Sequence, residues 1–296
     1  MSEPDTTSPV LLVAGGSRVD AGKTTFSAGL IAALTERIGD ALGVKPRAGN
    51  DYWYDHDDYR AATGSGRLYG KDARRLAAAS SAALEAQTDP SAPESINPIH
   101  RLWRPTPGRT GILGESGRTV LCDRVTTAAG PAFVVNGVAE AAGLLPSDLV
   151  ERLPLSNATR VGDVAEFNEV MAATHLPALD RLAAQVAAVS VPVVIESYAD
   201  IAGPLPLDGP VDLDAVAIVD PGRVRIYTGD RYENARRVAS GSPREGSREE
   251  LTDVVTELIE PTATLPLPAV DSDERRSPER IATRYSSAYD ALLEAA

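Results

Sequence analysis

The sequence predicts an α/β fold: a mostly parallel β-sheet covered by helices on both faces. Two observations carry this expectation. "VLLVAGG" (10–16) and "VPVVIESYAD" (191–200) are continuous apolar runs, the pattern of strands buried on both sides. Between and after such runs lie segments whose apolar residues recur at helical spacing, and that alternation is the signature of strands joined by crossover helices.

The elements follow in order. "GKTTFSAGLIAALTERI" places Phe26, Leu30, Ile31 and Leu34 on one helical stripe, directly after the first strand. "ALGVKP" reads as a short buried strand stopped by Pro46. "KDARRLAAASSAALEAQ" predicts a helix starting at Asp72. Prolines and glycines are frequent from 88 to 160, and this stretch is expected to be an insertion within a single domain spanning 1–296. Inside it, "GRTVLCDRV" and "PAFVVNG" read as extended, as a hairpin would. "VGDVAEFNEVMAATHLPALDRLAAQVAAV" predicts a helix interrupted near Pro177, and "DAVAIVDPGRVRIYTG" one or two strands. Two helices, "SREELTDVVTELIE" and "SPERIATRYSSAYDALLEA", close the chain; Ser277-Pro278-Glu279 is a strong start signal for the second.

Composition narrows the function. The chain has 296 residues, a net charge of −13 and one cysteine, Cys122, so no internal disulfide is possible. Such a charge argues against a nucleic-acid partner, which calls for clustered cations, and suits a surface screened by high salt. No basic-then-apolar leader and no apolar run of membrane-spanning length is present, so the expectation is a cytoplasmic protein that avoids membranes. Of the 29 basic residues only Lys23, Lys45 and Lys71 are lysines, all in the first quarter of the chain. Compact, mobile charges are kept where a guanidinium fork serves less well.

"GGSRVDAGKTT" lies where the first strand becomes the first helix, the context of a phosphate-binding loop. Gly16, Ser17, Arg18, Ala21, Gly22, Lys23, Thr24 and Thr25 are the candidate nucleotide contacts. Lys23 is expected to reach the terminal phosphates, and the Thr24 hydroxyl to coordinate Mg²⁺. The spacing is one residue longer than G-x-x-x-x-G-K-[ST], because position 17 is serine. A P-loop NTPase fold with ATP and Mg²⁺ as cofactors follows as the expectation; the lack of an N-K-x-D or T-K-x-D tetrapeptide mildly disfavours GTP.

That longer loop resembles the loop of the dethiobiotin synthetase family, roughly G-T-D-T-x-V-G-K-T. "VKP" (44–46), "KDARRL" (71–76) and "VVIESYAD" (193–200) are similar, in the same order, to three further pieces of that family, and together the matches cover about half the chain. The resemblance implies Thr24, Asp72 and Glu196 as the magnesium set, with Asp57 and Asp58 as competitors of Asp72. It places Lys45 and Arg47 beside a transferred phosphoryl group. With Lys23 and Asp20 these are the candidate catalytic residues. It implies an Mg-ATP-dependent enzyme that phosphorylates or activates a small molecule. The departures lie at the substrate: Ser17-Arg18-Val19 replaces Thr-Asp-Thr, and "ESYAD" replaces a glycine-alanine run. Dethiobiotin synthesis itself is therefore not the expected reaction. Arg18 stands where dimeric partitioning-type ATPases carry a second lysine, which makes a homodimeric regulatory ATPase the alternative.

"GNDYWYDHDDY" (49–59) follows "VKP" and concentrates four aromatic residues among acids. Tyr52, Trp53 and Tyr54 are expected to wall a small-molecule substrate, with Asp51, His56, Asp57 and Asp58 contacting its amines or hydroxyls. Sealing a dimer interface is the other role such aromatics serve.

Overall fold

The computed structural model describes residues 8–16, 21–84, 92–108, 117–206, 208–240 and 250–296. Its strands are β1 (Val10–Gly15), β2 (Leu42–Val44), β3 (Arg47–Asp51), β4 (Ile99–Pro105), β5 (Arg118–Thr127), β6 (Gly130–Asn136), β7 (Thr159–Val161), β8 (Val193–Glu196), β9 (Ala215–Asp220), β10 (Arg223–Thr228) and β11 (Ala263–Pro266). The helices before the second sheet's hairpin are α1 (Lys23–Arg37), α2 (His56–Thr63), α3 (Lys71–Ala79) and α4 (Pro93–Ile96). Then come α5 (Gly137–Ala141), α6 (Ser147–Arg152), α7 (Val164–Val170) and α8 (Leu176–Ala188). The last are α9 (Gly229–Ser240), α10 (Thr252–Thr256), α11 (Pro278–Arg284) and α12 (Ser286–Glu294). The chain divides into two compact units. One comprises Met1–Pro46, Arg75–Ser91 and Ala183–Ala296; the other comprises Arg47–Arg74 and Ala92–Leu182.

The first unit holds a six-stranded sheet in the order β11-β10-β9-β1-β8-β2. β2, β8, β1 and β9 run parallel, and the cores of the apolar runs, Leu11–Ala14 and Val193–Ile195, are buried. β10 and β11 are antiparallel to their neighbours. The expected mostly parallel sheet is therefore corrected to a mixed one. The cause is local: Pro221-Gly222, with Gly222 at φ +81°, turns the chain straight back, whereas a parallel return needs a long crossover. On this sheet α1 packs against α11 so closely that a Cβ on Gly29 would overlap Ile281 and the Tyr289 hydroxyl. Phe26 lies edge-on to Tyr289, whose hydroxyl donates to the Phe26 carbonyl at 2.9 Å. Ser277 caps α11 as its sequence predicts, its Oγ accepting from the Arg280 N–H.

The second unit holds a five-stranded sheet, β3-β4-β5-β6-β7, also mixed: β3–β4 and β6–β7 are parallel, β4–β5 and β5–β6 antiparallel. The "GRTVLCDRV" and "PAFVVNG" segments form its central hairpin, so part of the glycine- and proline-rich stretch builds this sheet. Alternation along β4 and β5 sends side chains to both faces. Leu102, Cys122 and Val135 pack with Tyr59, Leu149, Leu153 and Leu155. Ile99 and Val125 pack with Ala178 and Leu179 of α8. The interruption expected near Pro177 is a π-turn, Met171–His175, just before it. Pro177 has no N–H to return to the preceding turn, and the wider turn accommodates that loss.

Charges are buried in this sheet. Arg124 is satisfied by the carbonyls of Leu68, Asn97 and Pro98 and by the Asn97 and Thr126 side chains. Asp123 receives a two-pronged pair from Arg101 at 2.7 and 2.6 Å and lies 3.0 Å from His175 Nε2. Burial alone would raise Asp123, but Arg101 and His175 hold it well below the usual carboxylate range.

His100 is fully buried, with no hydrogen-bond partner for either ring nitrogen among the described residues. Burial, aided by Arg124, pushes its pKa down to about 3. The folded chain therefore holds His100 neutral, while the unfolded chain protonates it near pH ~6.5. Its stabilising contribution is complete above that pH and is lost as pH falls toward 3. Urea denaturation at pH 7.5 and 5 is expected to show ~2 kcal/mol less stability from this residue at the lower pH. His100→Leu is expected to reduce that difference; an unchanged pH dependence in the variant refutes the assignment.

Candidate functional site

The candidate site in the first unit is built where β1, β2 and β8 end and α1 begins. β8 lies between β1 and β2, with Val13 opposite Glu196 and Val44 opposite Ile195. That register sets Lys45, one residue past Val44, beside Glu196. The pair is an ion pair between the Lys45 Nζ and Glu196 Oε1, and neither side chain is more than 3% exposed. Lys45 also donates to the Ser197 carbonyl at 3.1 Å. From α1, the Thr24 hydroxyl donates to the same Glu196 Oε1 at 2.8 Å. Lys23 donates to the Ala199 carbonyl at 2.8 Å.

The backbone supports this grouping. Gly22, the residue before α1, sits at φ +87° and ψ 12°, a conformation that disfavours any side chain. Gly22 has no side chain to cap the helix, and the helix's first turn contains no acid. Ala199 is in the left-handed region at φ 50°, the one non-glycine residue with positive φ among those described. Holding alanine there costs ~1–2 kcal/mol. This turn aims its carbonyl at Lys23, while the Ser197 hydroxyl bonds the Ile201 carbonyl at 2.5 Å across the same turn.

Glu196 is fully buried, and its second oxygen, Oε2, has no hydrogen-bond partner among the described residues. A buried carboxylate oxygen left in this way calls for an acceptor-seeking group, a water or a hard cation. The described residues contain no group of three or more His, Cys, Asp or Glu placed to hold a metal. Among the described residues, a metal held here would rest on the Glu196 carboxylate and the Thr24 hydroxyl.

Gly16 closes the β1 end of the site. Its N–H bonds the Val219 carbonyl at 3.0 Å, and a Cβ there would overlap the Asp220 carboxylate. Ala21 and Thr25 are buried beside Lys23 and Thr24. Ser17, Arg18 and Asp20 lie outside the described residues.

The remaining candidates belong to the second unit. Arg47 opens β3, largely buried; burial and the neighbouring Arg101 push its pKa down to about 10, against the opposing pull of Asp123. Asp72 lies in the first turn of α3. Three acids of "GNDYWYDHDDY" make contacts within the second unit. Asp51 accepts from the Trp53 and Tyr54 N–H groups, and Asp55 from the Asp51 N–H. Asp58 pairs with Lys71 and Arg74. Tyr52 packs edge-on to His56 and Tyr59. Trp53 and Tyr54 project outward, 73% and 81% exposed. Asp57, next to them on α2, is exposed as well.

Sequence reasoning overlooked Arg101, Asp123 and His175, which come together from β4, β5 and the π-turn, segments with no common motif. It also passed over Arg225, whose guanidinium reaches the neighbourhood of Gly16 from β10; the one hint was a hairpin immediately after an apolar strand.

Removing Lys45 strands a buried carboxylate, which costs ~3–5 kcal/mol. Lys45→Ala is expected to lose that much in urea denaturation, while Lys45→Ala with Glu196→Leu recovers most of it; equal losses in both would show that the pair is not the source. Comparison of the chain with protein-family models, with curated proteins and with solved structures returned no match.

Proposed function

We propose that this chain is a P-loop NTPase that uses Mg-ATP to phosphorylate or otherwise activate a small molecule, in the manner of the dethiobiotin synthetase-like enzymes its loop resembles. The observation that carries the reading is the convergence of Lys23, Thr24 and Lys45 on the C-terminal end of β8, around a Glu196 whose Oε2 has no hydrogen-bond partner among the described residues. Ligands of open sheets gather at such strand ends.

In this reading Lys23 exchanges the Ala199 carbonyl for phosphate oxygens. Thr24 and Glu196 hold Mg²⁺, a hard ion satisfied by few carboxylates and several waters. The bound ion neutralises charge on the nucleotide phosphates. Lys45 orients Glu196, and its charge lies where negative charge accumulates during phosphoryl transfer. On the strength of the resemblance alone, Asp20 and Arg47 are kept as proposed catalytic residues, Asp72 as a proposed metal ligand and Arg18 as a proposed nucleotide contact.

A regulatory or assembly ATPase working as a homodimer is the second reading. The observation favouring it is the exposure of Trp53 and Tyr54, aromatic surface that interfaces use more often than free surfaces do.

The deciding measurement is ADP release from Mg-ATP in concentrated KCl, with and without fractions of small metabolites. Strong stimulation by one fraction supports the enzyme; slow release indifferent to all of them supports the switch. Lys23→Ala is expected to lower both nucleotide affinity and turnover by about a hundredfold, and Glu196→Gln to lower turnover while raising the Mg²⁺ requirement. Full turnover in Lys23→Ala overturns the nucleotide reading.

A further inference from the structure

The first unit carries an open cleft of about 440 Å³ outside the site around Glu196, between β10 and the chain that follows α10. Arg223, Arg225 and Tyr227 occupy alternate positions of β10 and so line one wall together. Thr256, Glu257 and Glu260 line the other.

The guanidinium of Arg225 is poorly used by the protein. Its side chain is 21% exposed, and its Nε lies 3.3 Å from Asp220 Oδ2 without making a hydrogen bond. Its Nη1 reaches the Tyr227 and Thr256 oxygens only at 3.4 Å each. Arginine presents five donors in a rigid fork, and mostly buried donors of this kind are normally satisfied. Arg223 approaches the same Asp220 oxygen at 3.2 Å, so one carboxylate oxygen serves both arginines. Burial raises the pKa of Tyr227, which keeps its hydroxyl neutral and able to donate. On this wall the arginine donors outnumber the acceptors within short hydrogen-bond reach among the described residues. The opposite wall carries the exposed carboxylates of Glu257 and Glu260.

We infer that the cleft binds a zwitterionic small molecule, an amino acid or ω-amino acid, with its carboxylate on Arg225 and Arg223 and its ammonium toward Glu257 and Glu260. A polyanion is disfavoured by Asp220 and the two glutamates. A simple cation is disfavoured by the two arginines. Asp220 and Arg225 are also the groups that a Cβ on Gly16 would strike. A ligand carboxylate drawing Arg225 away from Asp220 therefore changes the packing against the first glycine of the loop. Binding rests on the cleft alone; its consequence for turnover rests on the nucleotide reading above.

The test is isothermal titration of the full chain with 4-aminobutyrate, 5-aminopentanoate and 6-aminohexanoate, against acetate and methylammonium. At least one amino acid is expected to bind about tenfold more tightly than either single-charge probe, as charge-assisted hydrogen bonds at both ends require. Arg225→Gln is expected to remove that binding about tenfold or more. Because this change also loosens Asp220, the exposed Glu260→Gln serves as a second variant, expected to bring the amino acid down to the affinity of acetate. Acetate binding as well as the amino acids, affinity unchanged in both variants, or no binding by any probe overturns the inference. Repeating the titration with Lys23→Ala separates the two proposals: retained amino-acid binding with lost ATP turnover supports both. Retained turnover there with retained binding leaves the cleft and removes the nucleotide reading.

Discussion

The site of the first unit depends on one buried ion pair, Lys45 with Glu196. A carboxylate at the end of a central strand is far from water, and burial without a counter-charge would cost several kcal/mol. Lys45 supplies the charge from the neighbouring strand, and the in-register pairing of β2 with β8 brings it there. Thr24 adds a hydrogen bond from α1, tying helix, strand and strand together at one oxygen. The second oxygen has no hydrogen-bond partner among the described residues. The ion pair constrains composition as well. In a chain with three lysines, arginine serves almost everywhere else, but a planar fork is poorly shaped for this narrow position between strand ends.

The second unit solves the burial of charge differently. Arg124 is neutralised mainly by backbone carbonyls, and Asp123 is shared between Arg101 and His175. Burying such groups is costly unless every donor and acceptor is met, and here the π-turn carries His175 to the carboxylate. His100, by contrast, remains neutral and unsatisfied on its strand. The same sheet therefore contains an engaged charged network beside buried polar atoms of Asn50, His100 and Trp103 that have no hydrogen-bond partner among the described residues.

The acidic-aromatic stretch is also a folding element. Asp51 and Asp55 accept backbone N–H bonds within a turn, and Asp58 of α2 pairs with Arg74 of α3. Aspartate oxygens readily bond nearby backbone N–H groups, so a run of Asp is as much a turn-former as a binding surface. Tyr52 is drawn into the core cluster while its neighbours Trp53 and Tyr54 are turned outward. Adjacent residues in a turn point in divergent directions, and no periodicity announces which.

The buried strands β1 and β8 and the helix after β1 were legible from the chain alone, because short apolar runs bounded by glycine or proline, and helical spacing after Lys23, are written locally. The grouping of Thr24, Lys45 and Glu196 joins residues far apart in sequence and was expected only through the family resemblance. The antiparallel β10 and β11, the second mixed sheet, the Asp123 network and the approach of Arg225 to Gly16 were not legible. Each joins residues far apart in sequence, or turns on whether the chain reverses in two residues or crosses over. Long-range pairing is settled by which surfaces bury one another, and that balance is decided when the whole chain packs.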